Sequence, residues 1–515
     1  MLRARLLQSF LIIVAVVLAP AATVRLPVAA ERAIAGVAIA ELRSHVETLA
    51  SDEFAGRGVG HEGNRKAELY VAGVLRDAGA RPVLDDTFFQ PVVVYQPVLG
   101  TGSRLTITRE SQRLLELTAG DDLYPVPDSG AGTAHGRVVF AGYGISAPAQ
   151  RYDDFAKQDV RGAIVMILDG APPQLGDADE ETYSVGRKAS NAVARGAAGV
   201  IVLTAHLSDV RNLWPEKDAS IRSAAYQLFS DVQRSGVPVL AVRGQAADSV
   251  RRAAEAGTHL TATVTAAVSV RPVTMHNVLG MVEGRDGSRD EMVVVGAHFD
   301  HDGIDASGRI YNGADDNASG TAAVMSIAAA FARAAANGER PQRAVVFALW
   351  NGEEKGSLGA EAYVDDPRPP RRIVANINLD MIGRAENVPD PDDPRFRGFA
   401  RTSPAQSANV VHLLGYTYSA DLAGIVADAN SDIGLRIKQD YDQGAQGLLH
   451  RSDNWPFLRR GIPAVFLTTG LHPDYHTPDD DVERIDFSKL ERITRLAARA
   501  AWLTADGPPP RLRKR

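Results

Sequence analysis

The second half of the chain alternates between short apolar runs and helical patterns. Apolar runs of strand length stand at residues 292–297, 344–349, 373–379, 410–414 and 462–467. Helical spacing of apolar residues predicts helices near residues 318–336, 357–364, 420–430 and 487–504. Continuous apolar strands that alternate with helices indicate a sheet covered on both faces. We therefore predict an α/β fold with a mostly parallel mixed sheet flanked by helices.

The first half of the chain follows a different pattern. Apolar residues between 39 and 49 repeat with helical spacing, and a second helical stretch ends at Gly79. A glycine-rich turn from Gly56 to Gly60 separates the two helices. From residue 96 to residue 270, short β-branched runs alternate with Gly, Pro and Asp turns. This block interrupts the α/β pattern and predicts a β-rich inserted domain.

The N-terminus has the pattern of an export signal. Two arginines precede the apolar run from Phe10 to Ala19, which is shorter than the ~20 residues that a membrane span needs. Small residues suited to cleavage follow at Ala19–Pro20–Ala21 and Val28–Ala29–Ala30. We expect a signal peptide over residues 1–30 and a secreted or periplasmic protein with no stable membrane span after cleavage. An uncleaved membrane anchor is the alternative.

Composition narrows the class of protein. With 515 residues, 45% of them hydrophobic and 23% charged, the chain is long enough for two or three globular domains. A net charge of -7 gives no basis for binding nucleic acid. The chain has no cysteine, which excludes disulfides, thiolate metal ligands and a thiol nucleophile.

Side chains that can bind metal end or follow the apolar runs of the second half, or open its alanine-rich helix. They are His298, Asp300, Asp316, Glu353, Glu354, Asp380 and His476. The carboxyl ends of buried strands are where an open α/β sheet carries its active site. The pattern therefore indicates a two-metal hydrolase.

Each of these motifs alone has an ordinary explanation. A histidine after a strand is more often structural, two acids before a helix often cap it, and adjacent glutamates are common on surfaces. The conjunction favours a metal site. His298, Asp316, Glu354, Asp380 and His476 offer two nitrogens and three carboxylates, a set that suits zinc, although manganese or cobalt would also fit. Glu353 remains as a general base beside a metal-bound water.

Five motifs occur in order over about residues 271–490. They are His298–Phe299–Asp300, Gly313 to Gly320, Asn351 to Glu354, Asn378 to Gly383 and Tyr475 to Asp480. In these motifs the chain resembles the co-catalytic zinc aminopeptidases, whose wider family includes glutamate carboxypeptidases and glutaminyl cyclases. The inserted block resembles a protease-associated domain. One departure is Asn454, where many relatives have a histidine that can titrate.

The resemblance implies a role for each candidate. Asp316 would bridge two Zn²⁺ ions; His298 and Asp380 would complete one site, and Glu354 and His476 the other. Glu353 would be the general base, and Asp300 would support His298. The implied segments are a signal peptide (1–30), the N-terminal part of a peptidase domain (31–95), the inserted protease-associated domain (96–270), the catalytic domain (271–505) and a basic tail (506–515).

We therefore predict an exported di-zinc aminopeptidase that hydrolyses N-terminal residues of peptide substrates through a metal-bridging water. A carboxypeptidase of the same family stays open, because Arg384 and Arg451 could bind a substrate carboxylate. A rival from another class is a non-catalytic peptide-binding protein on the same fold. A glutaminyl cyclase is less favoured, and no Gly-x-Ser-x-Gly elbow supports a serine hydrolase.

Overall fold

The computed structural model describes most of the chain between residues 26 and 513. The residues outside the description are 1–25, 85, 100–101, 120–121, 127–128, 176–183, 205–226, 229–235, 256–258, 287–289, 306, 445–446 and 514–515. The apolar run predicted to be an export signal therefore lies outside the described residues.

The larger of two main sheets has ten strands. From edge to edge, nine of them are Gln227–Leu228, Phe89–Leu99, Val268–Val282, Ala344–Trp350, Glu291–His298, Arg372–Leu379, Ala464–Thr468, Val410–Leu414 and Arg436–Lys438. The short strand Arg81–Pro82 pairs with Val268–Val282. The central strands from Ala344–Trp350 to Ala464–Thr468 are parallel, whereas most pairings on either side are antiparallel. The predicted α/β fold with a mixed sheet is confirmed.

Helices cover both faces of this sheet because its central strands are apolar along their whole length. The described α-helices of the chain are Val28–Ala35, Ile39–Leu49, Glu62–Asp77, Val185–Val193, Gly244–Glu255, Gly320–Ala336, Leu358–Asp365, Pro404–Ser407, Ala420–Ala429, Asn454–Arg459 and Phe487–Asp506. Of these, Val185–Val193 and Gly244–Glu255 lie in the block of residues 96–270. Phe331 of the central helix packs on Phe347 and Trp502, with ring centroids 5.4 and 5.0 Å away. Each such buried aromatic contributes several kcal/mol, so this layer fixes the helix on the sheet.

The central helix is the one described segment with the length and composition of a membrane span, counted as Ala314–Ala336. Most of it is buried inside the protein. Its alanines allow close approach of the sheet and of helix Phe487–Asp506, as expected for the core helix of a globular domain.

A second sheet lies within the block predicted to be inserted. Its eight strands, in spatial order, are Gln112–Thr118, Arg104–Arg109, Leu260–Ala266, Gly132–Phe140, Ile164–Leu168, Gly199–Thr204, Val239–Arg243 and Leu123–Pro125. Two short pairs complete the described strands, Ser146–Ala147 with Tyr152–Asp153 and Gly303–Ile304 with Ile310–Tyr311. The two main sheets share no strand among the described residues, and each has its own apolar clusters.

Both ends of the described chain are attached to the α/β core. Glu31 of the first helix forms an ion pair with Arg499 of the last. The basic tail is held in place as far as Arg513. Arg511 pairs with Asp421 at 2.8 Å, and the Arg513 amide donates to the Tyr418 carbonyl at 2.8 Å. These contacts anchor residues up to Arg513 beside helix Ala420–Ala429.

Candidate active site

The predicted site residues meet at the carboxyl edge of the parallel strands. His298 ends its strand opposite Trp350, and Glu353 follows Trp350 after one tight turn. Asp380 directly follows strand Arg372–Leu379. Because these strands run parallel, residues that are far apart in sequence lie side by side at this edge.

The first group of side chains surrounds His298. Its Nε2 atom lies 3.4 Å from Oδ1 of Asp316 and 3.4 Å from Oδ1 of Asp380. Ser452 donates a hydrogen bond of 2.7 Å to the other oxygen of Asp380. The side chains of His298, Asp316 and Asp380 are all buried. Because Ser452 binds Oδ2 of Asp380, Oδ1 remains directed at the imidazole of His298.

The second group surrounds His476. Its Nε2 atom lies 3.1 Å from Oδ2 of Asp316 and 3.3 Å from Oε2 of Glu354. The two oxygens of Asp316 therefore face different groups, Oδ1 toward His298 and Oδ2 toward His476. A carboxylate in this position can serve two ions at once.

The donor set fits a metal. Nε2 of His298 and Oδ1 of Asp380 are buried and have no hydrogen-bond partner among the described residues, which is costly unless a cation binds them. His298, Asp316 and Asp380 each offer a ligand atom, and the three atoms lie within 4.8 Å of one another. Imidazole nitrogens and carboxylate oxygens are ligands that zinc accepts.

Asp300 holds the turn that carries the two glutamates. Its carboxylate accepts the backbone amide of Glu353 at 3.1 Å and that of Glu354 at 3.3 Å. Oδ1 of Asp300 is 3.8 Å from Nδ1 of His298, which lies closer to the Asp300 carbonyl, at 3.2 Å. Asp300 thus acts on the Glu353–Glu354 backbone more directly than on the His298 ring.

Electrostatics separate the two adjacent glutamates. Burial raises the pKa of Glu353 well above its ordinary value, and Asp453 raises it further against the opposing charge of His298. Burial would also raise the pKa of Glu354, but His476 and His301 lower it to about 2. One glutamate is therefore disposed to hold a proton, while its neighbour stays ionised as a ligand must.

The loop that carries His476 is fastened to the Asp316 turn. Asp480 accepts the backbone amides of Asp315 and Asp316 at 3.1 and 3.0 Å. Arg384 forms an ion pair of 2.7 Å with Asp474 in the same loop. These contacts place an otherwise ordinary loop histidine over the carboxyl edge of the sheet.

Sequence reasoning missed three buried groups at the site. His301 lies with Nδ1 2.7 Å from Oε1 of Glu354, and Oδ2 of Asp302 is 3.3 Å from Nδ1 of His476. Asp453 is buried, and neither of its carboxylate oxygens has a hydrogen-bond partner among the described residues. Four of the five residues from His298 to Asp302 can bind metal, and this density could have indicated His301 and Asp302. No local pattern marks Asp453.

A small cleft opens onto the cluster. Its polar walls are Asp316, Glu353, Asp380, Arg451, Thr468 and His476, and its apolar walls are Met381, Leu448, Phe466, Leu471 and Tyr475. Arg384 does not line this cleft.

The fold and the cluster define a metal-dependent hydrolase of the zinc-exopeptidase type. Residues 277–501 match the model of peptidase family M28. The resemblance seen in the five sequence motifs is thereby confirmed, and so is the expectation of a peptidase-type enzyme.

Individual relatives agree with this assignment. Aminopeptidase YwaD of Bacillus subtilis (strain 168) is 24% identical over 416 residues, which cover 76% of this chain and 77% of that protein. Leucine aminopeptidase 2 of Trichophyton equinum is 31% identical over 199 residues, covering 38% of this chain but only 34% of that relative. The solved aminopeptidase from Aneurinibacillus sp. strain AM-1 has a similar fold, with a TM-score of 0.58, 20% identity, and coverage of 93% of this chain and 96% of that one.

Proposed function

We propose that the protein is a di-zinc aminopeptidase. The observation that carries the proposal is the position of Asp316, whose two carboxylate oxygens face His298 with Asp380 on one side and His476 with Glu354 on the other. Two zinc ions bridged by Asp316 would satisfy these side chains. The names of the relatives, which are aminopeptidases, support the same direction of cleavage.

Hydrolysis of a peptide bond needs a group that transfers a proton, and we assign this role to Glu353. Bound zinc ions would polarise the scissile carbonyl and lower the pKa of the attacking water. Glu353 would take a proton from that water and pass it to the leaving amine. Its buried position raises its pKa, which increases its affinity for the proton that it takes from water.

Substitution of the two glutamates tests these roles separately. Glu353→Gln should lower kcat by about 10²–10⁴-fold, the usual contribution of a general base, with zinc content unchanged. Glu354→Gln should lower both zinc content and activity, because it removes a ligand. Activity on an amino-acid amide and zinc by elemental analysis are the measurements. Near-normal turnover by Glu353→Gln would exclude it as the base.

The apolar walls of the cleft support a preference for apolar N-terminal residues. Met381, Phe466 and Leu471 offer contacts to a hydrocarbon side chain and none to a charge. Leucine amide should therefore be hydrolysed with a higher kcat/KM than aspartate or lysine amide. A preference for either charged substrate would contradict this reading of the walls.

A carboxypeptidase is the second candidate, because Arg451 lines the cleft and could bind a substrate carboxylate. The other cation considered, Arg384, is engaged with Asp474 and His472. N-blocked and C-blocked dipeptides separate the two activities: we expect hydrolysis of C-blocked substrates only. Hydrolysis of N-blocked dipeptides alone would reverse the assignment, and no turnover of either by zinc-loaded protein would favour a peptide-binding protein.

Export and the nature of the second sheet are also proposals. We propose that the protein is secreted or periplasmic and that residues 96–270 form a protease-associated domain that shapes access to the cleft. Of the two candidate cleavage sites, Val28–Ala30 falls in helix Val28–Ala35, where Glu339 accepts the amides of Ala29 and Ala30 at 2.7 and 3.1 Å. Cleavage near Ala21 would preserve that helix. Mass spectrometry of the mature N-terminus tests the choice.

A further inference from the structure

The glycine-rich turn noted in the sequence carries a buried arginine. Arg57 has no exposed surface, although it stands in a turn between two surface helices. Ala55, Gly56 and Arg57 all have positive φ, at 48°, 64° and 54°. Non-glycine residues in this conformation cost of order 1–3 kcal/mol each and persist only where surrounding contacts over-determine them.

The contacts of Arg57 reach four main-chain carbonyls. Nε donates to the carbonyl of Phe299 at 2.6 Å. One terminal nitrogen donates to the carbonyls of Leu49 and Asn312, both at 2.6 Å, and the other to that of Gly313 at 2.9 Å. The planar guanidinium can make all of these bonds at once, whereas an ammonium cannot reproduce their directions.

These carbonyls belong to the loops that carry the proposed ligands. Phe299 stands between His298 and Asp300, and Asn312–Gly313 precede the turn of Asp316. The main chain of Arg57 makes a further contact with the first loop, because its carbonyl accepts the amide of His301 at 3.4 Å. One side chain therefore ties the strand end that presents an imidazole to the turn that presents the central carboxylate.

We propose that Arg57 is a positioning residue of the metal centre, which holds loops 298–301 and 312–316 in their ligating arrangement before metal binds. The inference rests on the proposed zinc site and adds a residue from the N-terminal segment to it. Arg57 touches neither substrate nor the reacting atoms. Its effect is exerted through the backbone of the ligand loops.

Gly56 supports the same arrangement by bringing the turn close to the core. A Cβ atom at this position would lie 2.4 Å from the carbonyl oxygen of Gly303 and 2.6 Å from that of Tyr311. Only glycine permits such an approach, at a φ that also favours glycine. The turn therefore packs closely against Gly303, which follows loop 298–301. This approach brings the guanidinium of Arg57 within hydrogen-bond distance of loops 298–301 and 312–316.

The charge of Arg57 suits an anionic surrounding. Burial lowers its pKa to about 10, while Asp316, Asp300 and Asp480 oppose that decrease, so the guanidinium stays protonated at neutral pH. A buried cation beside several carboxylates reduces their mutual repulsion in the metal-free protein. It would also repel a bound dication, so a purely electrostatic role predicts tighter metal binding once the charge is removed.

Two substitutions of Arg57 separate its geometric role from its electrostatic role. Arg57→Lys keeps the charge and loses the geometry, and Arg57→Met loses both. We expect both variants to bind zinc at least about tenfold more weakly than wild type, measured by competition with a chelator, since outer-shell substitutions typically cost 10–100-fold. The matched control is Arg343→Lys, at a second fully buried arginine that donates to the carbonyls of Ala505 and Gly507 and pairs with Glu291. It should leave zinc affinity unchanged.

Unchanged affinity in Arg57→Lys, tighter binding in Arg57→Met, or an equal loss in the Arg343→Lys control would each overturn the inference. A wild-type protein that binds no zinc would instead refute the proposed function.

Hydrogen exchange of the zinc-free wild-type chain is the second measurement and requires no variant. Peptides covering 298–302 and 312–316 should be protected before zinc is added. Protection that arises only with zinc would assign the positioning to the metal and overturn the role of Arg57.

Discussion

At the scale of single residues, His45 shows how burial changes the pKa of an imidazole. It lies on helix Ile39–Leu49, with Nδ1 2.8 Å from the hydroxyl of Tyr70. Burial lowers its pKa from 6.5 to about 4. The folded protein therefore keeps this imidazole neutral at a pH where the unfolded chain protonates it.

The consequence is a loss of stability in acid. Between pH 6.5 and about pH 4 the unfolded state binds a proton at His45 that the folded state does not, so the free energy of unfolding falls as pH falls. His45→Gln should reduce this dependence. Urea unfolding of both proteins at pH 7 and pH 4.5 measures it. An identical difference between the two pH values in wild type and variant would contradict the role of His45.

Residues differ in how far sequence alone can assign them. Glu353, Glu354 and Asp380 were found because each follows an apolar strand, a local pattern with a known consequence for position. Arg57 and Asp453 were not found because their surroundings come from residues far away in sequence. Asn454 is intermediate: the sequence shows that it cannot titrate, and the structure adds that its side chain donates to the Leu449 carbonyl at 2.9 Å.

At the scale of elements, the start of the central helix touches the strand that ends before Asp380. A Cβ atom at Gly320 would lie 2.4 Å from the carbonyl oxygen of Leu379 and 2.4 Å from Oδ1 of Asn317. The helix Gly320–Ala336 and strand Arg372–Leu379 are therefore in direct main-chain contact. This contact sets the distance between Asp316 and Asp380.

A single methyl group should disturb that distance. Gly320→Ala is expected to destabilise the protein by about 1–3 kcal/mol, as overpacking does, and to weaken zinc binding because Asp316 is displaced. Gly424→Ala is the matched control: it lies in helix Ala420–Ala429 with nothing within 4 Å of the added Cβ, so it should be neutral or slightly stabilising. Thermal unfolding and zinc titration of both variants check this. Unaltered zinc binding in Gly320→Ala would contradict it.

The elements of the α/β core were predictable because each has a strong local period. The helix expected near 318–336 is Gly320–Ala336, and the strand expected at 344–349 is Ala344–Trp350. The pairing of Phe89–Leu99 with Val268–Val282 was not predictable, since it joins segments on either side of the inserted block. That hairpin-like pair adds antiparallel strands to a sheet expected to be mostly parallel. Local patterns carry no information on such distant partners.

At the scale of the whole molecule, the proposed metal site joins segments from residue 298 to residue 476. Binding of zinc to the folded state alone would stabilise it by about 2.7 kcal/mol at a free concentration of 100 Kd. The Tm should then exceed that of chelator-treated protein by roughly 2–4 °C, because the entropy of unfolding of a chain this long is large. Differential scanning calorimetry with and without zinc is the measurement. Asp316→Asn should lose the zinc-dependent increase, and a wild-type Tm indifferent to zinc would contradict the site.

The chain leaves the large sheet after Leu99 and returns to its next strand at Val268, and these two residues are direct cross-strand partners. Of the described residues between them, the short strand Gln227–Leu228 also pairs with the large sheet, at its edge. The segment of more than 160 residues between Leu99 and Val268 therefore begins and ends at neighbouring points. A tight β-turn could connect the same two strand ends. A miniaturised enzyme in which a few residues replace the segment from 103 to 266 should retain zinc and cleave small amides, because closing a shorter loop costs less entropy. Its kcat/KM on an amide and on a long peptide should be compared with those of the intact chain. The comparison would show whether the segment from 103 to 266 restricts the access of long substrates.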